Sequence, residues 1–136
     1  MKVLKAGCYL LDLENKKVAL VYREKQKDYT FPKGHLDGNE TLQECAVRET
    51  AEETKRVAKI LGEFEPIVEK YMSSNGEDCE CHMFIAIDNG ASDNSSTDTH
   101  DVHWIDFEEV ENKLSYENLR KVWMLVKDKV SVIFKK

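Results

Sequence analysis

Apolar residues fall in short blocks separated by charged or polar turns, and the period within the blocks changes along the chain. From Lys5 to Leu13 they are dense and include Tyr9, "ENKK" reads as a turn, and "VALVY" at 18–22 as a returning strand buried on both faces. This predicts an N-terminal hairpin. "REKQKD" is a charged, solvated loop, and "YTF" at 29–31 a short strand stopped by Pro32. Gly34, Gly38 and Asn39 give the next segment the backbone freedom of a tight irregular loop. Thr41-Leu42-Gln43-Glu44 has the form of a capping box, predicting a helix that runs to Lys55. "RVAKILGEFEPIVEKYM" and "CECHMFIAI" are β-rich and joined by "SSNGED", whose Asn75-Gly76 pair signals a hairpin. Residues 88–101 are polar without an apolar period and read as a loop, whose length raises the hypothesis of closure over a substrate. "VHWIDFEEV" then reads as a strand entering a helix. Ser115 is placed to cap a last helix whose Leu119, Val122, Trp123, Val126 and Val130 recur at three- and four-residue steps.

The order of elements is mixed and shows neither an internal repeat nor a linker. It predicts a single α+β domain over residues 1–136, with helices covering a mixed, mainly antiparallel sheet. Composition narrows the partners. With 20 basic against 26 acidic residues the net charge is −6, so no general basic surplus exists for nucleic-acid polymers or anionic membranes. No apolar run is long enough to span a bilayer, and "KAGC" at 5–8 lacks the apolar stretch of a lipoprotein signal. Cys8, Cys45, Cys79 and Cys81 have no C-x-x-C spacing, and reduced thiols in a cytoplasm are expected. Zinc at Cys79, Cys81 and His82 is disfavoured, because strand alternation turns both thiols toward the core with Met83. His100 and His103 read as loop and strand residues.

The first helix is chemically unusual. At ~100° per residue, Glu49 and Glu53 fall roughly 20° to either side of Leu42, on the stripe that packs against the sheet, with Glu52 beside them. Like charges at this spacing repel by roughly 0.2–0.5 kcal/mol per pair, and unpaired carboxylates are costly to bury. One alternative is a solvated acidic face with Arg48 bridging to Glu44 or Glu52. It leaves unexplained why Glu49 and Glu53 stand where apolar residues are expected. Mg²⁺ takes hard oxygen ligands, typically one or two carboxylates with waters and substrate phosphate. Glu49 and Glu53 one turn apart, with the Gly34 carbonyl brought close, meet that requirement.

Residues 34–56, "GHLDGNETLQECAVRETAEETKR", resemble the signature of the Nudix hydrolases, with Gly34, Glu40, Arg48, Glu49, Glu52 and Glu53 on its fixed positions. The flanking strands and closing helix are similar to the rest of that family's α/β/α sandwich. Thr50 departs from the usual aliphatic residue, and Lys55 and Arg56 replace a closing Gly and aliphatic residue, so the left-handed helix stop is expected to be missing, with Val57 taking the packing role. The resemblance implies metal-dependent hydrolysis of a nucleoside diphosphate linked to another group. It makes Glu49 and Glu53 principal metal ligands, the Gly34 carbonyl a further one and Glu52 a ligand or water-mediated partner, for Mg²⁺ with Mn²⁺ as the alternative. Glu40 and Arg48 are implied to orient these carboxylates. The implied catalytic base is Glu52, then Glu53, with Asp101 an outside candidate.

"FPKGH" and "RET" look like the diadenosine tetraphosphate hydrolase branch, in which Lys33 and His35 would contact polyphosphate and Tyr71 would stack a base. The plainer alternatives are a solvated lysine, a loop-capping histidine and a packed tyrosine. Two other functions stay open: a pyrophosphohydrolase of modified nucleoside triphosphates or other nucleotide conjugates, and a non-catalytic nucleotide sensor.

Overall fold

The structure is a computed structural model that describes residues 2–93 and 100–135. Among the described residues there are eight strands and three helices, in the order β1 (Lys2–Asp12), β2 (Lys17–Arg23), β3 (Asp28–Thr30), β4 (Lys33–His35), α1 (Leu42–Thr54), β5 (Arg56–Ile60), β6 (Ile67–Met72), β7 (Asp78–Ala91) and β8 (Asp101–Asp106). A 3₁₀ turn at Phe107–Glu109, α2 (Val110–Lys113) and α3 (Glu117–Phe134) complete it. The strands form one sheet in which β1 runs parallel to β7, and every other pairing is antiparallel.

Alternation along β1 builds a core on each face. Ala6, Cys8 and Leu10 meet Cys45 and Ala46 of α1, whereas Tyr9 and Leu11 meet Trp123, Val126 and Val130 of α3. The result is the α/β/α sandwich that the element order and the resemblance predict. The α1 side is lined by small residues, including Ala19, Ala58 and Ala86, so the helix lies close on the strands. The α3 side holds the rings of Tyr9, Phe31, Phe107 and Trp123 in edge and tilted contacts.

The capping box forms in full: the Glu44 N–H donates to Thr41 Oγ1 (3.1 Å) and the Thr41 N–H to Glu44 Oε1 (2.8 Å). Several expectations change. The left-handed stop after α1 is present, carried by Lys55 at φ 61°, whose N–H donates to the Ala51 carbonyl. Val57 is only half-buried, and Ala58 fills the core beyond the helix. Ser115 does not cap α3; its Oγ accepts the Tyr29 N–H at 2.8 Å instead, tying the chain ahead of α3 to β3. Residues 33–35, expected as loop, pair with β1 because Gly7 has no Cβ to block the Pro32 carbonyl and Lys33. Residues 88–91 are strand, since β5 pairs with them and Arg56 forks onto Asp88 (2.9 and 2.8 Å). The closure hypothesis for 88–101 falls in large part on residues 94–99, outside the described residues. No helix among the described residues is long and apolar enough to cross a membrane.

Candidate active site

Because small side chains bring α1 close to the sheet, its inward glutamates reach β4. The Glu49 carboxylate is buried directly against Gly34, where any Cβ would overlap its Oε2 and Cδ. One turn later, Glu53 Oε1 accepts the Lys33 N–H at 3.2 Å. Arg48 ties this end of the helix to the preceding loop. Its Nε and Nη2 fork onto Glu40 (3.0 and 2.6 Å), Nη2 also reaches the His35 carbonyl (2.9 Å), and Nη1 lies 3.3 Å from both Glu49 and Glu52. Glu40 in turn accepts the Asp37 N–H at 2.8 Å. The guanidinium fork, working against partial burial, draws the Glu40 carboxyl down to about 2. The expected Arg48–Glu52 bridge therefore exists, while Glu44 serves the cap. Arg48 offsets much of the like-charge repulsion along the helix.

Gly34, Glu49 and Glu53 line one cleft of about 240 Å³ together with Lys33 and His35. The Cys45 thiol makes a weak contact with the Gly34 carbonyl, at 3.7 Å. Carboxylate and carbonyl oxygens around a glycine are the donor chemistry of a hard divalent cation. Among the described residues, no three acidic, histidine or cysteine side chains already converge as a closed metal cluster. Glu52 lies to the side, on Arg48, rather than in the cleft wall.

Through Lys5, Arg23, Thr30 and Lys33 this cleft adjoins a second, of about 350 Å³, which passes Tyr71 and Tyr116. Tyr71 is half-buried in that wall, with the ammonium groups of Lys5 and Lys33 5.5 and 5.6 Å from its ring centroid. Arg23 forks onto the buried Asp28 (2.8 and 2.6 Å), which also accepts the Tyr116 hydroxyl. The Arg23 fork outweighs burial and holds the Asp28 carboxyl below its ordinary value.

The sequence therefore points to Gly34, Glu49, Glu53, Lys33 and His35, and the fold gathers them, with Tyr71 next door. Asp101 is not brought in: it is exposed at the start of β8, opposite Tyr22. Its neighbour His100 is the residue that meets the site, its N–H donating to the Glu53 carbonyl (3.3 Å) and its Nε2 lying 4.0 Å from Glu53 Oε2. Lys5, Arg23, Asp28 and Tyr116 carry no local motif, and only the sheet reveals them. Cys79 and Cys81 are buried, as strand alternation predicts.

A NUDIX domain model matches residues 1–125. The chain belongs to the Nudix family. As a Nudix hydrolase it acts on pyrophosphate bonds. Its fold is shared with a NUDIX hydrolase from Nitrosomonas europaea (TM-score 0.75, 16% identity, 96% of this chain and 90% of that one). It is shared equally with the Ap4A hydrolase of C. elegans (TM-score 0.74, 23% identity, 97% and 99%). A bifunctional NMN adenylyltransferase/ADP ribose pyrophosphatase from Francisella tularensis, complexed with AMP and a Mn ion, also matches (TM-score 0.70, 18% identity, 96% and 42%).

Proposed function

We propose that this Nudix hydrolase is a divalent-metal-dependent pyrophosphohydrolase of dinucleoside polyphosphates such as diadenosine tetraphosphate. The observation that carries the reading is the Glu49 carboxylate seated against Gly34, in one cleft with Glu53 and Lys33. Glu49 and the Gly34 carbonyl would hold Mg²⁺, or Mn²⁺, with Glu53 near enough in the cleft to share it. A bound divalent ion supplies acidification of water and neutralisation of phosphate charge.

The chain's own residues do the rest. Glu53 lines the cleft and receives the proton of the attacking water; Glu52, the first expectation for this role, instead serves to hold Arg48. Arg48 and Glu40 fix the loop that ends at Thr41 to the helix, so the carboxylates meet the substrate already oriented. Lys33 faces the cleft as a point charge for phosphate, and His35 stands exposed at its lip. The adjoining cleft, with its cations and tyrosines, has room for further phosphates and a nucleoside. The "FPKGH" segment and the fold shared with the C. elegans Ap4A hydrolase support the substrate class.

The test is a product-resolved assay with Mg²⁺ across diadenosine polyphosphates, nucleoside triphosphates, sugar nucleotides and RNA caps. Preferred cleavage of diadenosine tetraphosphate is expected, and pyrophosphate release from free triphosphates as the dominant reaction would overturn it. General-base loss costs on the order of 10²–10⁴-fold, so Glu53→Gln should fall that far with the fold intact, and Glu52→Gln much less. The reverse order would return the proton to Glu52. Nucleotide binding without turnover under any divalent ion would make the protein a sensor.

A further inference from the structure

The outward face of α3 carries more apolar surface than a solvated helix needs. Leu119, Trp123, Val126 and Val130 are buried toward the sheet, which leaves Lys121, Met124, Leu125, Asp128 and Val132 on the opposite side, three or four residues apart and all exposed. Met124, Leu125 and Val132 are 52%, 69% and 54% exposed, whereas Leu13, Val68, Met72 and Tyr116, the other large exposed apolar side chains among the described residues, lie off this helix. Apolar residues exposed singly are ordinary; a contiguous set on one face is not. Asp128 is set among them. Its neighbours three and four positions away are Met124, Leu125, Ser131 and Val132, so no cation stands at helix-pairing distance. Among the described residues it has no ion pair within 4.0 Å. Lys121 stands about two turns earlier, ~10.5 Å along the axis, and leans on Glu117 at 3.8 Å.

We propose that this face docks a second copy of the chain, by antiparallel packing of α3 on the partner's α3 about a two-fold axis between Met124 and Leu125. Such an axis sets each residue opposite one equally far on its other side. Met124 then meets the partner's Leu125, and Lys121 meets the partner's Asp128, each contact occurring twice. The charge pattern selects this arrangement. Parallel helices would set Lys121 against the partner's Lys121 and Asp128 against the partner's Asp128. An antiparallel pair slipped by one turn in one direction brings Asp128 to the partner's Glu117; slipped in the other, it leaves Lys121 against the partner's Val132 and Asp128 against the partner's Leu125. The stated register alone among these pairs both charges and joins the central apolar residues, and the repulsion in the others supplies specificity. One face of an 18-residue helix offers less than the ~800 Å² per partner of a standard interface, so association is weak, with Kd between about 1 μM and 1 mM. The inference is independent of the substrate reading.

The experiment is sedimentation equilibrium of the full chain from about 10 μM to about 1 mM, the range in which so small an interface is populated. A reversible monomer–dimer equilibrium is expected. Leu125→Lys sets ammonium groups at the axis and should remain monomeric throughout. Lys121→Glu and Asp128→Lys each place like charges opposite one another and should weaken association about tenfold or more. The double variant restores opposite charges and should return to within about threefold of the intact chain, a recovery that a general change in surface charge would not produce. All these positions are exposed, and thermal melts check that each variant is folded. The proposal is overturned if the intact chain stays monomeric up to the highest concentration, which would leave the face to solvent or to another occupant. It is equally overturned if Leu125→Lys dimerises like the intact chain, or if the double variant associates no better than the single ones, since either result places the contact on another face or in another register.

Discussion

Glu40 offers a quantitative check on the frame around the carboxylates. Its carboxyl sits at about 2 instead of 4.5, chiefly because Arg48 forks onto it, with the Asp37 N–H assisting. A displacement of that size corresponds to at most ~3 kcal/mol between the two protonation states. Water reaches the pair, whose side chains are 15% and 29% exposed, so screening reduces the stabilisation to about 1–2 kcal/mol. Since the folded-state pKa is depressed, this contribution is complete above pH 4.5 and disappears as pH falls toward 2. Urea unfolding of the wild type and of Glu40→Gln should therefore differ by about 1–2 kcal/mol at neutral pH. The difference should shrink through the range from 4.5 to 2. Equal stability at neutral pH, or a gap that stays constant down to the acid end, would refute the account of Glu40 as an ionised partner of Arg48.

Two glycines on neighbouring strands should separate activity from stability. Gly34→Ala places a methyl group on the Glu49 carboxylate, which can swing away, so melting should shift little while hydrolysis falls about 100-fold or more. Gly7→Ala drives its methyl into the Pro32 carbonyl and Lys33 backbone, which cannot move aside, so unfolding free energy should drop by about 2–4 kcal/mol. Thr50 is fully buried on α1 and its hydroxyl has no hydrogen-bond partner among the described residues, so Thr50→Val should stabilise by about 1 kcal/mol in denaturant titration. A loss of stability in that variant would mean the hydroxyl is satisfied.

What the chain discloses before folding divides by the range of the interaction. Thr41 and Glu44 mark the start of α1 because a capping box closes within four residues, and the α3 stripe from Leu119 to Val130 is a local period. The carboxylate box is legible for the same reason: Gly34, Glu49 and Glu53 come together through one loop and one helix. The errors occur where a distant segment decides. Ser115 has the chemistry of a cap, yet Tyr29 claims its hydroxyl oxygen. Asp88 and Gly90 read as loop until Arg56 and β5 supply partners. Lys55 occupies a left-handed position that sequence rules reserve for glycine. Lys5, Arg23 and Tyr116 join one cleft wall only because two strands and the start of a helix bring their positions together.

The parallel ladder between β1 and β7 also governs how this molecule is made. Lys2 through Leu11 cannot meet their parallel partners until Asp78 through Ile87 have been synthesised. A nascent chain halted in the β6–β7 turn has the β1–β2 hairpin but lacks the strand that lies beside β1 at the centre of the sheet. Such non-local pairing places refolding in the millisecond-to-second range expected of high contact order. During that interval one edge of an apolar strand stands open to other chains, so overproduction should be limited by aggregation on the ribosome sooner than by stability of the finished enzyme.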